Sequence, residues 1–570
     1  MAKRERLAGT TARALAREAA GHVRRLLDGR IPLPARAPER IIVAPPDPVP
    51  GEAELATTMY GGTFPLAGVS VETYGESPFT IENAPYAWYE ALHGFGWMRH
   101  HRASNTELAQ LHVRTLLEDW IKLYGEAERD LPWRPLIAAT RLRHWISHSP
   151  VVLGHGDFAF LDVFLKQLAV HHRFVRRAAR DAIDPFTRAR LLATLCTVAL
   201  AFPTRRQEQR RLSTALAQEL DAQVLDDGGH ISRRAAAALD LAGDLLPLVE
   251  CYDALGLVTP APVIRALDRM LPTIALHQHR DRSLARHNGT RGARVERTEA
   301  VLALSPSRGL PPAEAPQSGY QRLAMGETVV VVDTGITPPI EHASRAHAAT
   351  LSFEMSVGEG DTATPLIVNI GHIGEGRDKL RNALRTVGAH STLSVDGADD
   401  PWSIPTTGLQ ARLFAEPLLG GPTEVDLKRA DAQDGSWRGF RASHDAYARQ
   451  ATGPSAIHVR TFALSDGGAK LAGRDELTAP IEAGDAWSPP PATVRFHLHP
   501  AVTVRADEDD PQRFLLKPER GAEWALSVEG ATGAIDESIY VAHDSPEDAR
   551  QIVLTIPEGV GAANWTLTRL

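Results

Sequence analysis

The sequence predicts a two-domain fold: an α-helical array or α/α toroid over residues 1–290, followed by an antiparallel β-sandwich over residues 291–570. Three observations predict it. At 570 residues the chain is too long for one hydrophobic core. Apolar residues recur at helical spacing up to about residue 276, and beyond it they come as short runs rich in β-branched residues. Between the two textures lies a basic, non-periodic stretch, HQHRDRSLARHNGTRGARVER.

Composition narrows the function classes. Hydrophobic residues make up 43% and charged residues 23%, as in an ordinary globular protein. A net charge of −8 argues against a nucleic-acid binder, so an anionic ligand would need a local basic patch. Two cysteines, Cys196 and Cys251, allow neither a disulfide framework nor a Cys-rich zinc site. The first residues, MAKRERLAGTTARALAREAAGHVRRLL, read as an amphipathic helix whose basic face is interrupted by Glu5, Glu18 and Asp28. No secretory signal and no membrane-spanning run is legible, which places the chain in the cytoplasm.

Residues 31–83 carry so many prolines and glycines that they read as extended. From Asn83, a candidate cap with Pro85 in the first turn, the pattern turns helical and contains Trp88, Tyr89 and Trp97. Those aromatics suit core packing better than sugar stacking. Further helices start near Thr106, Asp157 and Thr187. The next carries Leu212, Leu216, Leu220 and Val224 at four-residue spacing. Gly228 and Gly229 end it, His230 lies in the break, and Ser232 is positioned to cap the following helix. Pro260 and Pro262 open another. Short breaks between successive helices predict antiparallel neighbours.

The second half is read around residues 344–397. In SRAHAATLSFEMSVG, alternation puts Arg345, His347, Leu351, Phe353, Met355 and Val357 on one strand face and Ser352, Glu354 and Ser356 on the other. Arg345, His347, Asn369 and His390 are polar groups on or near an inward face, and burying them needs partners. His347 and His390 are read as sharing one polar site, metal-bound or hydrogen-bonded.

Several words in this order resemble the heparinase II/III-like polysaccharide lyases. DGGHIS (227–232) is similar to that family's DGxHxE, and SGYQRL (318–323) to its Gly-Tyr strand. AHAATLSFE (346–354) resembles HxHxDxLSFE, VNIG (368–371) the xDxG word, and AHSTLSVDG (389–397) AHNTxxxDG. The resemblance implies an incomplete α/α toroid joined to a C-terminal β-sandwich. It implies a lyase that cleaves uronate-containing acidic glycans by β-elimination, and an acidic polysaccharide or oligosaccharide as partner. In that chemistry a base removes the proton beside the carboxylate, a neutraliser stabilises the enolate, and an acid protonates the leaving oxygen. Family members are often periplasmic, an alternative to the cytoplasmic placement.

The carry-over is partial. The family's zinc ligands fall on His347, Asn369 and His390, with Asn369 in place of an aspartate, which weakens a zinc site. Its first sandwich histidine falls on Arg345, a poor base but a good carboxylate partner. Its toroid tyrosine falls near Ala237. His230, Arg345 and Tyr320 are therefore the candidate catalytic residues, with loop and half-buried strand roles as the bland readings of His230 and Tyr320. Arg233, Arg286, His287 and Asn288 are candidate substrate contacts. The surrounding basic run, with Arg280, Arg282, Arg291 and Arg294, reads otherwise as a solvated linker. His444 and Asp445 read as a structural turn. A catalytically impaired relative that binds acidic glycans or a protein partner is the second function class. A hydrolase ranks third, because no carboxylate pair stands out.

Overall fold

The computed structural model describes the chain except residues 1, 29–36, 127, 129, 155–157, 204–205, 293–294, 305–309, 375–377, 399–401, 403–407, 450–453, 482, 484–485 and 543–544. Asp157 and Arg294 thus lie outside the described residues. The chain divides into two compact units: residues 1–224, 239–268 and 299–306, and residues 225–238, 269–298 and 307–570.

The helices, in order, are α1 (Ala2–Asp28), α2 (Ala53–Tyr60), α3 (Tyr86–Gly94), α4 (Met98–Ser104), α5 (Glu107–Tyr124), α6 (Pro135–Ser147), α7 (Ser149–Val152), α8 (Phe158–Asp181), α9 (Pro185–Ala201), α10 (Arg206–Gln223), α11 (Ala235–Ala254) and α12 (Ala261–Leu276), with the shorter α13 (Val295–Ala303), α14 (Asp378–Ala383) and α15 (Gly408–Phe414) after them. Within the first unit α9 packs against α6, α8 and α10, so sequence neighbours are also spatial neighbours. Thr106 caps α5 by accepting from Ala109 N at 3.1 Å, and Asp184 caps α9 through Thr187 N at 3.0 Å. Trp88 and Trp97 are buried, and Trp88 Nε1 donates to Phe64 O at 2.9 Å.

The proline-rich stretch is not wholly extended. It contains α2 and the hairpin of β1 (Thr63–Leu66) and β2 (Val69–Glu72), because its prolines cluster before residue 51 and ELATTMY is free to coil. Asn83 is left-handed (φ 67°) and Pro85, not Asn83, precedes the first turn of α3.

In the second unit two antiparallel sheets share one core. The strands are β3 (Glu314–Ala315), β4 (Tyr320–Met325), β5 (Thr328–Asp333), β6 (Phe353–Val357), β7 (Thr364–Val368), β8 (Leu393–Val395), β9 (Val425–Asp431), β10 (Trp437–His444), β11 (Ile457–Ser465), β12 (Lys470–Thr478), β13 (Ala492–Leu498), β14 (Val502–Ala506), β15 (Arg513–Pro518), β16 (Trp524–Glu529), β17 (Thr532–Val541), β18 (Pro546–Ile556) and β19 (Ala562–Arg569). One sheet runs β17-β18-β13-β7-β6-β5-β4-β3 with β8 on β13, and the other β14-β15-β16-β19-β12-β11-β10-β9. Between them Phe353 stacks on Trp565, with centroids 5.5 Å apart and planes at 8°, and Phe462 and Phe496 meet the same indole edge-on. Every residue of β5, β6 and β7 is buried, so these strands are covered on both faces.

The predicted strand through Arg345 and His347 is not formed. The chain from 343 to 352 is irregular, Leu351 has φ 62°, and β6 starts only at Phe353. Its backbone bonds go elsewhere: Ala348 N donates to Arg385 O, Leu351 N to Asp333 O and His347 N to the Asn288 side chain. Period-2 spacing persisted while the hydrogen-bond partners that make a strand were missing.

Candidate functional site

The site is built in the second unit on a buried polar frame. Asp227 shapes the turn that carries His230. Its carboxylate accepts from Gly229 N at 2.9 Å, and from Ser318 N and Oγ at 2.6 and 3.0 Å. Gly228 (φ 83°) passes so close to Arg269 that a Cβ would sit 1.8 Å from its carbonyl oxygen. The glycines therefore fix the turn rather than loosen it. Ser232 does not cap α11. Its N–H donates to His230 Nδ1 at 3.1 Å, and its hydroxyl lies 2.7 Å from the same nitrogen. A nitrogen that accepts from an N–H carries no proton, so neutral His230 is the Nε2–H tautomer.

Four predicted contact residues belong to this frame instead of a ligand surface. Arg233 donates to Ser318 O, Ile336 O and Gly319 O and is paired with buried Asp333. Tyr320, 1% exposed, donates to Arg233 O at 2.5 Å and accepts from Asn288 Nδ2 at 2.9 Å. Burial, with Asp333 nearby, pushes its phenol well up, so it stays protonated near neutrality. Asn288 also donates to Asp333 at 2.8 Å, leaving its amide nitrogen fully used. Arg286 donates to Val541 O, with its guanidinium 4.3 Å from the Tyr540 ring centroid. His287 lies 3.3 Å from both Ser352 Oγ and Asn369 Nδ2, 1% exposed. A sequence with polar residues on a Gly-rich turn looks the same whether they face a ligand or a carboxylate beneath them.

A second buried carboxylate, Glu354, holds the other side of the frame. It accepts from Arg286 N at 3.1 Å, Asn369 N at 3.2 Å and Asn369 Nδ2 at 2.9 Å, with His279 Nε2 at 2.9 Å. Burial raises its pKa, but the His279 hydrogen bond and the adjacent histidines outweigh that and bring it to about 2. Asn369 Oδ1 accepts from Ser391 N at 3.0 Å. Asn369 is therefore turned toward Glu354, and this corrects the expected ligand trio: it does not converge with His347 and His390.

Those two histidines do meet, with a third that sequence reasoning passed over. His347 Nδ1 is 3.0 Å from His390 Nε2, and His347 Nε2 is 3.3 Å from His372 Nδ1. His390 Nδ1 is 2.8 Å from Thr386 O. His372 stands one residue past VNIG, and the only signal for it was a histidine next to a Gly-ended strand. Burial and then the charges of Arg345, Arg291, Arg234 and Arg385 drive His372 well below the usual histidine range. Arg345 is placed by Gly289 (φ 71°), where a Cβ would lie 2.5 Å from the Arg345 carbonyl oxygen. Arg234 sits between the two histidine groups, acting on both His230 and His372, and its Nε lies 3.3 Å from Ser232 Oγ. The rings of His230 and His342 meet edge-on at 5.8 Å. The cavity beside His230, lined also by Arg234, His277, Ser318 and Tyr320, has a volume of about 10 Å³, room for one water and no sugar.

Zinc fits poorly here. Tetrahedral zinc needs donors about 2.0–2.1 Å from one point. His347 spends its two nitrogens in two directions, and Asn369 faces away. Among the described residues, no group of three His, Cys, Asp or Glu side chains is arranged to hold a metal.

Residues 307–567 match the model described as Heparinase II/III-like, C-terminal. Those residues form a heparinase II/III-like C-terminal domain. A solved heparinase III shares the fold at a TM-score of 0.63 and 13% identity, covering 97% of this chain and 90% of that one. Heparan sulfate lyase HepC from Pedobacter heparinus aligns at a TM-score of 0.53 and 14% identity, over 90% and 82% of the two chains. FtsZ-localized protein C from Caulobacter vibrioides is 27% identical over 573 residues, spanning 98% of this chain and 96% of that protein. No described helix is long and apolar enough to cross a membrane.

Proposed function

We propose that this heparinase II/III-like chain is a polysaccharide lyase that binds an acidic glycan over the histidine–arginine cluster and cleaves it by β-elimination. The observation that carries the reading is a complementary pair of tautomers. His230 presents Nε2–H, a donor, because its Nδ1 accepts from Ser232 N. His372 presents a bare Nε2, an acceptor, when its Nδ1–H is directed at His347. Arg345 and Arg291 supply positive charge beside His372, where a uronate carboxylate would bind and its enolate would be stabilised. The proton beside the carboxylate passes to His372 Nε2, the carbon–carbon double bond forms as the C–O bond to the leaving sugar breaks, and the leaving oxygen, held by a hydrogen bond from His230 Nε2–H, takes its proton from water. Tyr320 takes no part.

The test is a panel of uronate polymers and oligosaccharides read for unsaturated products. His372→Ala and His230→Ala should each lower turnover by roughly two to four orders of magnitude. Arg345→Lys should impair it, since a point charge does not reproduce the fork. Full activity in His230→Ala or His372→Ala rules out that residue's role.

A second reading is favoured by two specific observations: the locked Tyr320, and the near-full-length likeness to an FtsZ-localized protein. In it the chain keeps the lyase frame, binds acidic glycan without cleaving it, and associates with FtsZ. Glycan binding with no product, together with co-sedimentation with FtsZ polymers, would select this reading over the first.

A further inference from the structure

The metal position of the fold, as this chain fills it, has a chemistry of its own. We infer that His390, His347 and His372 form a metal-free hydrogen-bonded chain of fixed tautomer, anchored on the Thr386 carbonyl, that replaces a zinc and positions His372. The inference stands whether or not the protein cleaves a glycan.

A carbonyl oxygen only accepts, so His390 Nδ1, 2.8 Å from Thr386 O, carries the proton. Neutral His390 then has a bare Nε2. His347 Nδ1 lies 3.0 Å from it and must donate. Neutral His347 then has a bare Nε2 in turn, so His372 Nδ1, 3.3 Å away, must be the donor there. One anchor sets three rings, and each ring uses the same nitrogen as donor. The outermost ring is left with an acceptor Nε2, and the charges of Arg345, Arg291 and Arg234 act on that ring.

Anchoring of a histidine on a carbonyl also orients metal ligands, so His390 alone does not decide between chain and chelate. The third position decides. Where an aspartate would bring a negative donor, Asn369 gives its oxygen to Ser391 N and its amide to Glu354. With its amide on Glu354 and its oxygen on Ser391 N, Asn369 brings the histidines neither a charge nor a donor atom. The middle ring confirms the geometry from the other side, since a ring bridging two neighbours through opposite nitrogens does not aim both at one ion. His372 therefore has its orientation from two other rings, which makes His347 and His390 positioning residues.

The experiment uses the untagged full chain. Metal content is measured by elemental analysis after growth with added zinc. Melting is followed with and without a chelator. Histidine tautomers are read from long-range proton–nitrogen spectra of protein carrying nitrogen-15 histidine. Expected are substoichiometric zinc, an unchanged melting temperature under chelator, and His390, His347 and His372 all as the Nδ1–H form. In His390→Ala the His372 signal should shift from that single form to a mixture of tautomers, which a purely space-filling role would not produce. Stoichiometric zinc that survives dialysis, a melting temperature lowered by chelator, or an Nε2–H form of His372 in the parent would each overturn the inference. Should His390→Ala fail to fold, the parent protein's metal content and spectra decide the matter by themselves.

Discussion

Two histidine clusters, one in each unit, use similar side chains for opposite ends. In the first unit His148 Nε2 is 3.2 Å and Arg99 Nε 2.9 Å from the same oxygen of Asp47, with His144 Nε2 at 4.0 Å. Asp47 lies in the run PPDPVP, so this cluster closes on a carboxylate and pins a proline-rich segment. Burial would raise the Asp47 pKa, yet the His148 hydrogen bond and the Arg99 charge hold it far below the carboxylate range. In the second unit the buried carboxylates are spent on the frame, Asp333 on Arg233 and Asn288, Glu354 on His279 and Asn369. His347, His372 and His390 bond one another instead. A cluster that ends on a carboxylate is a lock. One that ends on a bare ring nitrogen beside arginines has something left to do.

The largest expected effect is on acid stability, and it touches both clusters. Burial brings His144, His101, His93, His277 and His497 to about 3, and His390 to about 4. These folded-state values lie below the unfolded one of 6.5. Between the two, the unfolded chain binds more protons, so this stability is fully present above 6.5 and is lost as pH falls toward 3–4. Each such histidine contributes about 1.4 kcal/mol per pH unit inside that window. A handful of them exhausts a stability margin of about 5–15 kcal/mol before most carboxylates titrate. Tryptophan fluorescence against pH should show unfolding centred above about pH 5. A midpoint in the carboxylate range would mean that these rings are not buried neutral.

Next in size is the frame. Asp333→Ala leaves Arg233 buried without its counter-charge, at a cost of about 3–5 kcal/mol by denaturant unfolding. Asp47→Ala should cost less, about 2–3 kcal/mol, because Arg99 keeps 18% side-chain exposure and water reaches it. Asp47→Ala should also speed proteolysis of the proline-rich segment while glycan turnover or binding stays as in the parent. A change in turnover without a loss of stability would break the comparison, since the lock would then be part of the site.

What the sequence made legible follows the same division. Helix periodicity, the change of texture near residue 280 and the strand runs carried the architecture, because burial patterns repeat over many residues. The pairing of His347 with His390 was also legible, from words spaced along the chain. The roles of Arg233 and Arg234 were not. They are adjacent, yet one is bound to Ser318 O, Ile336 O and Asp333 while the other acts on His230 and His372. Arg233 also has φ 62°, a left-handed turn in the backbone between the two side chains' directions of use. Spacing carries no such information. His372 was missed for a related reason: its partner nitrogen belongs to His347, 25 positions earlier in the chain.

The smallest effect separates frame from site most cleanly. Tyr320 occupies a word shared with lyases, and its phenol is the natural suspect for an acid. Its hydroxyl, however, donates to Arg233 O and accepts from Asn288, with no group left toward a ligand. Tyr320→Phe removes one donor and leaves Arg233 O and the Asn288 amide each one partner short, though Asn288 Nδ2 still donates to Asp333. The expected cost is about 1–2 kcal/mol in denaturant unfolding. Turnover on any cleaved glycan, or affinity for a bound one, should change less than about threefold, since a phenol acting as general acid would be worth two orders of magnitude or more. The pH profile should keep the parent's shape. A hundredfold loss of turnover with stability intact would return Tyr320 to the chemistry and take His230 out of it.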